Sequence, residues 1–292
     1  MVNVMSAQTN SRNGLILWLA PPVLWFTVFM LVPYALLFYY SLGSVEYMTF
    51  KPGFSFANLG KVLTGAPYLA VLLKSFKLGV ITAVGATIAA FPVAFCLAFH
   101  TTSRTTRTFV YFLVIVPWWA SYLVKAYAWK TILGSNGLMN SLLMSLHLIN
   151  EPLTFFLYNQ FSVALTLIYI FTPFAILSIY AQLERIPTNV IEGAKNLGAT
   201  DFEVFRRVIV PLSLPGVVAG AVITFSLSFG DFVAPALVGG PDAVMISNIV
   251  VNLLGVAFDW PMAAAIGIVV IAFAMTLISV AQYLEHRAAV RF

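Results

Sequence analysis

The chain has 292 residues and a formal net charge of +5; 61% of its residues are hydrophobic and only 9% are charged. Soluble globular domains carry about 25% charged residues, so this composition excludes a water-soluble protein and indicates an integral membrane protein. The mean hydropathy of +0.96 points the same way. The single cysteine excludes an internal disulfide and a cysteine metal cluster. We expect one membrane domain over residues 1–292.

Six stretches of the chain are long and apolar enough to cross the hydrocarbon core, which takes about 20 residues of helix. Lipid offers no partner to a free backbone N–H or C=O, so each crossing segment is expected to be helical. We therefore predict an all-α polytopic protein with six transmembrane helices at residues 15–42, 78–99, 109–133, 161–183, 212–237 and 262–284.

Basic residues predict the orientation of these spans. Cytoplasmic loops are enriched in lysine and arginine. The N-terminus, the loops between spans two and three and between spans four and five, and the C-terminus hold Arg12, Arg104, Arg107, Arg185, Lys195, Arg206, Arg207, Arg287 and Arg291. We therefore expect both termini in the cytoplasm. This topology accounts for the net charge, so nucleic acid is not expected as a partner.

Two long loops are expected on the opposite side. The first covers residues 43–70. The second, residues 134–160, carries a short amphipathic run at 138–148 that is expected to form a helix on the outer surface.

The cytoplasmic loop 184–211 is a polar, charged segment in an otherwise apolar chain. Asn189 lies three residues before Glu192, which predicts an N-cap with a capping box. Gly198 suits the left-handed conformation that ends many helices. The spacing also predicts one apolar stripe, formed by Val190, Ala194 and Leu197.

The second half of the loop predicts another helix. Thr200 and Glu203 repeat the capping-box spacing, and Pro211 is expected to close the helix before span five. Its apolar face is predicted to contain Phe202, Phe205 and Ile209. The expected unit is therefore helix, glycine turn, helix.

The same loop resembles a known family. It contains Glu192-Gly193-Ala194, three residues, Gly198, nine residues and then Val208-Ile209-Val210-Pro211. This resembles the Glu-Ala-Ala, Gly, Ile-x-Leu-Pro hallmark of the membrane permeases of binding-protein-dependent ABC importers. The spacing is intact, and Gly193, Val208 and Val210 replace residues of similar small or aliphatic character.

The resemblance implies a type I importer fold in the bacterial inner membrane. The loop would be a coupling helix that docks onto a cytoplasmic ATPase dimer, with the contact at Glu192, Gly193, Ala194, Gly198 and Asp201. ATP and magnesium would bind that partner, and this chain would hold no cofactor. A second permease, favoured here as a paralogue, and a periplasmic or extracellular solute-binding protein would complete the machine. The alternative is an amphipathic helix on the membrane surface, which would have a wider apolar face and more basic residues.

Further landmarks resemble the permeases of spermidine/putrescine importers. They follow in order along the chain: Val116-Pro117-Trp118-Trp119, Leu138-Met139-Asn140, Pro173, residues 211–216, 230–235 and 237–240, and Asp259-Trp260-Pro261. The resemblance implies a polyamine as solute. An amino-acid-like, opine-like or other small organic solute stays open.

Asp231 is the one acidic residue in the core of a predicted span. A charge inside a span suggests function, and Gly230 and Pro235 suggest a broken helix lining a cavity. Asp231 is thus a candidate ligand for a cationic solute. Alternatively, it pairs with Lys125 or caps the helix break.

Aromatic faces could bind ammonium groups by cation–π contact. The candidates for the solute pathway besides Asp231 are Trp118, Trp119, Tyr122, Tyr169, Phe229 and Phe232. Packing is the alternative for each phenylalanine. Lysines near the expected outer entrance would repel a cation, so an anionic or zwitterionic solute also remains open: Lys74, Lys77, Lys125 and Lys130.

No catalytic motif supports an enzyme. The chain lacks Gly-x-Ser-x-Gly, His-Glu-x-x-His and the phosphate-binding Gly-x4-Gly-Lys-Ser/Thr. We therefore expect a non-catalytic transport subunit whose energy comes from a partner. An ion-coupled secondary transporter, or a membrane enzyme, is the remote alternative.

Overall fold

The structure is a computed structural model that describes residues 18–101 and 103–289. Over these ranges the chain is helical, with one small hairpin of strands β1 (Ser44–Glu46) and β2 (Thr49–Lys51). The helices are α1 Trp18–Ser41, α2 Ala57–Thr64, α3 Ala66–His100, α4 Arg104–Trp119, α5 Tyr122–Leu133, α6 Leu138–Ser145, α7 Gln160–Leu183, α8 Thr188–Asn196, α9 Asp201–Phe229, α10 Ile246–Gly255 and α11 Trp260–Ala289. Short helical turns lie at Thr154–Phe156, Pro235–Gly239 and Pro241–Ala243.

Among the described residues, five helices are long and apolar enough to cross a membrane: α1, α3, α7, α9 and α11. Helix α7 coincides with residues 161–183, predicted as the fourth span, to within one residue. Helices α3 and α11 extend beyond the predicted 78–99 and 262–284. The start of the predicted first span, residues 15–17, lies outside the described residues.

Residues 109–133, predicted as one helical span, do not form one continuous helix. Helix α4 ends at Trp119 and α5 begins at Tyr122, because Ala120 and Ser121 have extended backbones with ψ of 135° and 139°. The fifth span also ends earlier than the predicted residue 237. Helix α9 stops at Phe229, and a separate turn follows at Pro235–Gly239.

Four π-helical turns lie close to prolines. Thr27–Leu31 precedes Pro33, Cys96–His100 follows Pro92, Phe205–Ile209 precedes Pro211, and Pro235–Gly239 begins with a proline. Proline has no N–H and its ring clashes with a carbonyl of the preceding turn. A π-turn just before a proline is one of the ways in which a helix absorbs this defect, and Thr27–Leu31 and Phe205–Ile209 fit this explanation. Cys96–His100 and Pro235–Gly239 do not lie before their prolines, so it does not apply to them. Pro211 was predicted to close a helix, but it lies inside α9.

The described residues form two compact units. One contains residues 18–64 together with 253–269, and it includes the hairpin. The other contains the described residues of 65–252 together with 270–289, and it includes α3 to α9. The candidate site described below lies wholly in this second unit.

Small residues set the distance between α7 and α9 in the second unit. A Cβ added at Gly216 would lie 2.5 Å from Cβ of Gln182, and one added at Gly220 would lie 3.2 Å from Cα of Ala175. These two glycines have the four-residue spacing by which membrane helices approach closely without a hydrophobic driving force between them. The side-chain amide of Gln182 also donates to the carbonyl of Leu212 at 3.1 Å.

Two clusters of buried side chains form the core of this unit. The first joins the C-terminal parts of α3 and α7 to the polar loop 184–211. It contains Leu97, Val114, Ile179, Leu183, Ile186, Val204 and Ile209. The second surrounds the turn Pro235–Gly239 and contains Leu78, Val163, Leu167, Ile170, Phe171, Ala234, Val238 and Met245. Each cluster therefore packs one of the two candidate functional regions against the bundle.

Candidate functional site

The loop 184–211 folds as a helix, a glycine turn and a second helix, as predicted. The predicted N-cap is wrong, because α8 begins at Thr188 after Pro187, which places Asn189 inside the helix. Pro187 itself stands at the N-cap, with φ of −67° and ψ of 136°, and its ring fixes φ near this value.

Gly198 ends α8 in the predicted left-handed conformation, with φ of +86°. The N–H of Ala199 donates to the carbonyl of Ala194 at 3.1 Å, and the N–H of Gly198 donates to the carbonyl of Lys195 at 2.9 Å. These two bonds form the motif that commonly closes a helix at a glycine. The turn therefore depends on Gly198 itself.

The predicted cap of the second helix is confirmed. The N–H of Glu203 donates to Oγ1 of Thr200 at 3.3 Å, and Oε2 of Glu203 accepts from the N–H of Thr200 at 3.0 Å. This reciprocal pair satisfies backbone donors that the helix leaves free. Helix α9 then continues without interruption into its apolar part.

The two predicted apolar stripes are only partly right. Ala194, Phe205 and Ile209 face the bundle, but Leu197 is 91% exposed and Phe202 is 69% exposed. The glycine turn places Leu197 outside the regular turns of α8, so helical spacing does not describe its direction. Ile191 packs against the core in its place.

An ion pair spans the glycine turn. Nζ of Lys195 lies 2.7 Å from Oδ1 of Asp201, so one end of α8 is tied to the start of α9. Asp201, predicted at the ATPase contact, therefore already has a partner within the chain. Both side chains are largely exposed, so the pair orients the two helices more than it stabilises the fold.

The exposed side of this unit offers space to another molecule. A side chain added at Gly193 would meet no atom within 4 Å, and Glu192 next to it is exposed. Beside them lies a groove of about 780 Å³ between the end of α3, α8 and the first turns of α9. Its lining combines aromatic and charged side chains, among them Phe95, Phe99, His100, Glu192, Lys195 and Phe202.

Arg107 and Glu184 fasten α4 to the end of α7. The Arg107 guanidinium lies 3.3 Å from Oε1 of Glu184 and 5.6 Å from the centre of the Tyr180 ring, and the Tyr180 hydroxyl donates to the same oxygen of Glu184 at 3.1 Å. The sequence analysis missed this cluster. The only signal in the sequence was a base just before the third predicted span and an acid just after the fourth. Both positions are predicted to lie on the cytoplasmic side.

Asp231 lies where the chain is not helical, between α9 and the turn Pro235–Gly239. Its Oδ1 accepts a hydrogen bond from the N–H of Ala234 at 2.8 Å, and its Oδ2 accepts one from the hydroxyl of Tyr122. The structure therefore places Asp231 as a cap of the helix break, one of the expected alternatives. Its side-chain partner is Tyr122 and not Lys125.

Polar side chains of α10 support the same break. The Ser247 hydroxyl donates to the carbonyl of Asp231 at 2.5 Å, and the Asn248 amide donates to the carbonyl of Phe232 at 2.8 Å. Both residues were missed from the sequence, because serine and asparagine in an apolar run carry no motif. Ser247 gives a partner to the carbonyl of Asp231 at the break. By contrast, the carbonyl of Phe232 also accepts from the N–H of Ala236 at 3.3 Å.

A row of aromatic rings leads from Trp118 to Tyr122. Trp118 lies 4.3 Å from Phe174, Phe174 lies 6.2 Å from Phe171, and Phe171 lies 6.4 Å from Tyr122, between ring centroids. Three of these five side chains, counting Asp231, were predicted. The row ends at the carboxylate, so the structure brings aromatic faces and an acidic group into one region.

The other predicted pathway residues are not part of this row. Trp119 is 88% exposed, and Phe232 is 45% exposed. Tyr169 packs against Trp129 with 5.3 Å between ring centroids. Phe229 is buried between Phe225 and Phe273, at 5.4 and 5.8 Å, which is the packing alternative.

Asn140 is a further polar residue with a structural role. It is buried in α6, inside the helix predicted at 138–148, and its amide donates to the carbonyls of Gly134 and Leu153 at 3.1 Å each. The N–H of Leu153 donates back to its Oδ1 at 2.8 Å. Asn140 therefore holds the loop 134–160 in one conformation.

Long apolar helices packed through glycines, with an exposed polar helix–turn–helix, indicate a polytopic membrane protein with a polar unit outside its apolar helices. The chain belongs to the family described as "Binding-protein-dependent transport system inner membrane component", whose model matches residues 90–290. It is thus an inner-membrane permease component of a binding-protein-dependent ABC importer.

Named relatives agree with this family. The chain is 35% identical over 274 residues to the inner membrane ABC transporter permease protein YdcU of Escherichia coli (strain K12), covering 89% of this chain and 86% of the relative. It is 30% identical over 246 residues to the spermidine/putrescine transport system permease protein PotB of the same organism, covering 84% and 88%.

Solved structures show the same fold. A bacterial ABC transporter involved in the import of the acidic polysaccharide alginate superposes with a TM-score of 0.74 at 20% identity, over 96% of this chain and 98% of that chain. The helical arrangement is therefore that of a type I ABC importer permease.

Proposed function

We propose that this chain forms half of the translocation pathway of an ATP-driven importer for a polyamine such as spermidine or putrescine. The observation that carries the solute class is the 30% identity to PotB over most of both chains. The aromatic row that ends at Asp231 supports it, because ammonium groups are bound by carboxylates and aromatic faces.

The proposed topology has six crossings with both termini in the cytoplasm. Helices α4 and α5 contain 16 and 12 residues, which correspond to about 24 and 18 Å at 1.5 Å per residue. Neither alone crosses a hydrocarbon core of about 30 Å, but the two in sequence do. A broken third crossing therefore remains compatible with the arginine distribution.

The exposed unit at α8 is the proposed docking element for the ATPase. Gly193 leaves room for close approach, and Glu192 and the groove beside it offer charge and aromatic surface. A second permease, a paralogue, would supply the other half of the pathway, and a solute-binding protein would deliver the solute. ATP hydrolysis would take place on the ATPase and not in this chain.

Docking is tested by charge reversal in the assembled importer. Glu192→Lys is expected to abolish solute-stimulated ATPase activity while the permease still inserts and is recovered from membranes at the normal level. Glu151→Lys, at an exposed acid in the loop 134–160, is the matched control and should leave stimulation unchanged. Full stimulation in Glu192→Lys would remove α8 as the docking element.

The solute is tested by uptake into proteoliposomes that contain the complete importer and its binding protein. Labelled spermidine and labelled putrescine should each accumulate when ATP is present inside the proteoliposomes. Unlabelled putrescine should compete with the uptake of spermidine, and unlabelled spermidine with that of putrescine. If neither polyamine is taken up and an amino acid or an opine is taken up instead, the polyamine assignment is refuted, while the assignment as an ATP-driven importer stands. Uptake driven by an ion gradient without ATP would refute the importer mechanism in this chain.

A zwitterionic solute is the second candidate, and specific lysines favour it. Lys125 is half-buried on α5, three residues after Tyr122, and the ammonium of Lys130 lies 6.0 Å from the centre of the Tyr158 ring. A solute with both a carboxylate and an ammonium group could contact Lys125 and the aromatic row together. Lys125→Gln would then lower uptake of that solute but raise or preserve uptake of putrescine.

A further inference from the structure

The hairpin after α1 exposes large apolar side chains at its tip. Tyr47 and Met48 form the two-residue loop between β1 and β2 and are 96% and 74% exposed. Both have positive φ, at 48° and 60°, a conformation that such loops usually assign to asparagine or glycine. The chain therefore carries bulky apolar groups where a small or polar residue would fit the backbone better.

The hairpin is attached firmly to the end of α1. The side-chain amide of Asn58 donates to the carbonyls of Ser41 and Gly43 at 3.1 and 2.9 Å. The Phe50 ring lies 5.9 and 4.8 Å from the rings of Tyr39 and Tyr40. The tip is therefore presented by a folded support.

The position of this support indicates the depth of the tip. Tyrosines at the end of a span mark the lipid–water interface, and Phe50 of β2 packs on two of them. The tip begins two residues from Phe50, and a three-residue strand extends about 10 Å. The headgroup layer beyond the hydrocarbon is about 5–8 Å thick on each side. The tip is thus no more than about 10 Å from the interface that the two tyrosines mark.

The charges of the hairpin do not oppose burial in this layer. Glu46 and Lys51 form an ion pair across the two strands, so they compensate each other. The segment that follows exposes two more aromatic rings, Phe54 at 88% and Phe56 at 66%. An apolar, uncharged tip beside the end of a span is the composition expected of a membrane-interface anchor.

We propose that Tyr47 and Met48, with Phe54 and Phe56, insert into the lipid–water interface and anchor the hairpin to the bilayer surface. The proposal needs only that the chain is a membrane protein and does not depend on its solute or its ATPase. The anchor would fix the loop that joins the first two long helices.

The experiment measures the depth of a nitroxide label. Cys96, the one cysteine, is replaced by serine, and single labels are attached at positions 47, 48 and 54 of the full chain in nanodiscs of phosphatidylethanolamine and phosphatidylglycerol. We expect collisions with oxygen, which partitions into lipid, to exceed collisions with a water-soluble nickel chelate at these positions. The label at position 61 is the control, because Lys61 is exposed on α2 of the same unit, and it should show the opposite order.

Two outcomes would overturn the proposal. One is nickel accessibility at positions 47, 48 and 54 equal to that at position 61. The other is accessibility to nickel that disappears only when the solute-binding protein is added, since the tip would then be a protein-docking surface. Three independent label positions keep the result decisive if one variant is not recovered.

Discussion

The hydroxyl of Tyr122 donates a hydrogen bond to the carboxylate of Asp231, and the two residues lie at the two helix breaks of the second unit. Tyr122 is the first residue of α5, and Asp231 caps the turn that follows α9. One contact therefore links two interrupted helices.

Removal of the Tyr122 hydroxyl should loosen this link. A hydrogen bond to a charged group contributes about 1.5–3 kcal/mol, so Tyr122→Phe is expected to lower the thermal stability of the purified permease and its solute uptake. Tyr127→Phe, at an exposed tyrosine on the same helix, is the matched control. Equal melting temperatures for the two variants would contradict a structural role for the bond.

Asp231→Asn should reduce uptake of cationic solutes if Asp231 lies on their pathway. Asparagine can still accept the hydrogen bond from the N–H of Ala234, so the cap is largely retained while the charge is removed. The measurement is KM and maximal uptake in proteoliposomes. Asp242→Asn, at an exposed neighbour in the following turn, controls for surface charge, and unchanged kinetics in Asp231→Asn would remove it from the pathway.

Two glycines of the polar unit should respond in opposite ways to alanine. Gly198 has φ of +86°, where a Cβ costs roughly 1–2 kcal/mol, so Gly198→Ala should weaken the turn and reduce solute-stimulated ATPase activity. Gly193 lies in a helix with free space around it, so Gly193→Ala should stabilise the permease by up to about 1 kcal/mol. Identical effects on stability, read by thermal unfolding, would show that the turn is not the sensitive element.

The Lys195–Asp201 pair should behave as a reciprocal contact. Lys195→Asp and Asp201→Lys are each expected to reduce coupling between solute and ATPase activity, because each places two like charges across the turn. The double variant restores opposite charges and should recover coupling. If the single reversals are harmless, or if the double variant is as impaired as either single one, the pair does not orient the unit.

Close packing of α7 and α9 makes Gly216 sensitive to size. A Cβ there would lie 2.8 Å from the carbonyl oxygen of Ser178 as well as near Gln182, so Gly216→Leu should prevent recovery of a monodisperse permease in size-exclusion chromatography. Gly255→Leu, where a side chain would meet nothing within 4 Å, should be tolerated. Normal recovery of Gly216→Leu would refute the packing argument.

Features that depend on one residue or on average composition could be predicted from the sequence. Gly198 was found because few other residues adopt its conformation, and α7 because its apolar run is uninterrupted. The break at Ala120 and Ser121 was missed because hydropathy does not report backbone angles. The Tyr122–Asp231 bond joins residues 109 positions apart, and no local pattern specifies such a pairing.

The error at Leu197 has a different origin. Helical spacing assigns a side chain to a face only while the helix continues, and Leu197 is already the C-cap of α8. The capping pairs that were predicted differ in the same way. Thr200 and Glu203 stand at a true helix start, whereas α8 already begins at Thr188 with Pro187 at its N-cap, so Asn189 lies inside the helix.

The π-turn at Phe205–Ile209 holds one more residue than the same turn of an α-helix would need. Each residue of an α-helix turns the chain by about 100° around the helix axis. The extra residue therefore determines the direction around the axis of α9 in which the elbow, formed by α8 and Gly198, points. Regular α-helical winding of the same residues would keep every chemical group of the elbow. It would nevertheless swing Glu192 and Gly193 about the helix axis by roughly a quarter of a circle, so a partner that approaches along a fixed direction would meet a different surface.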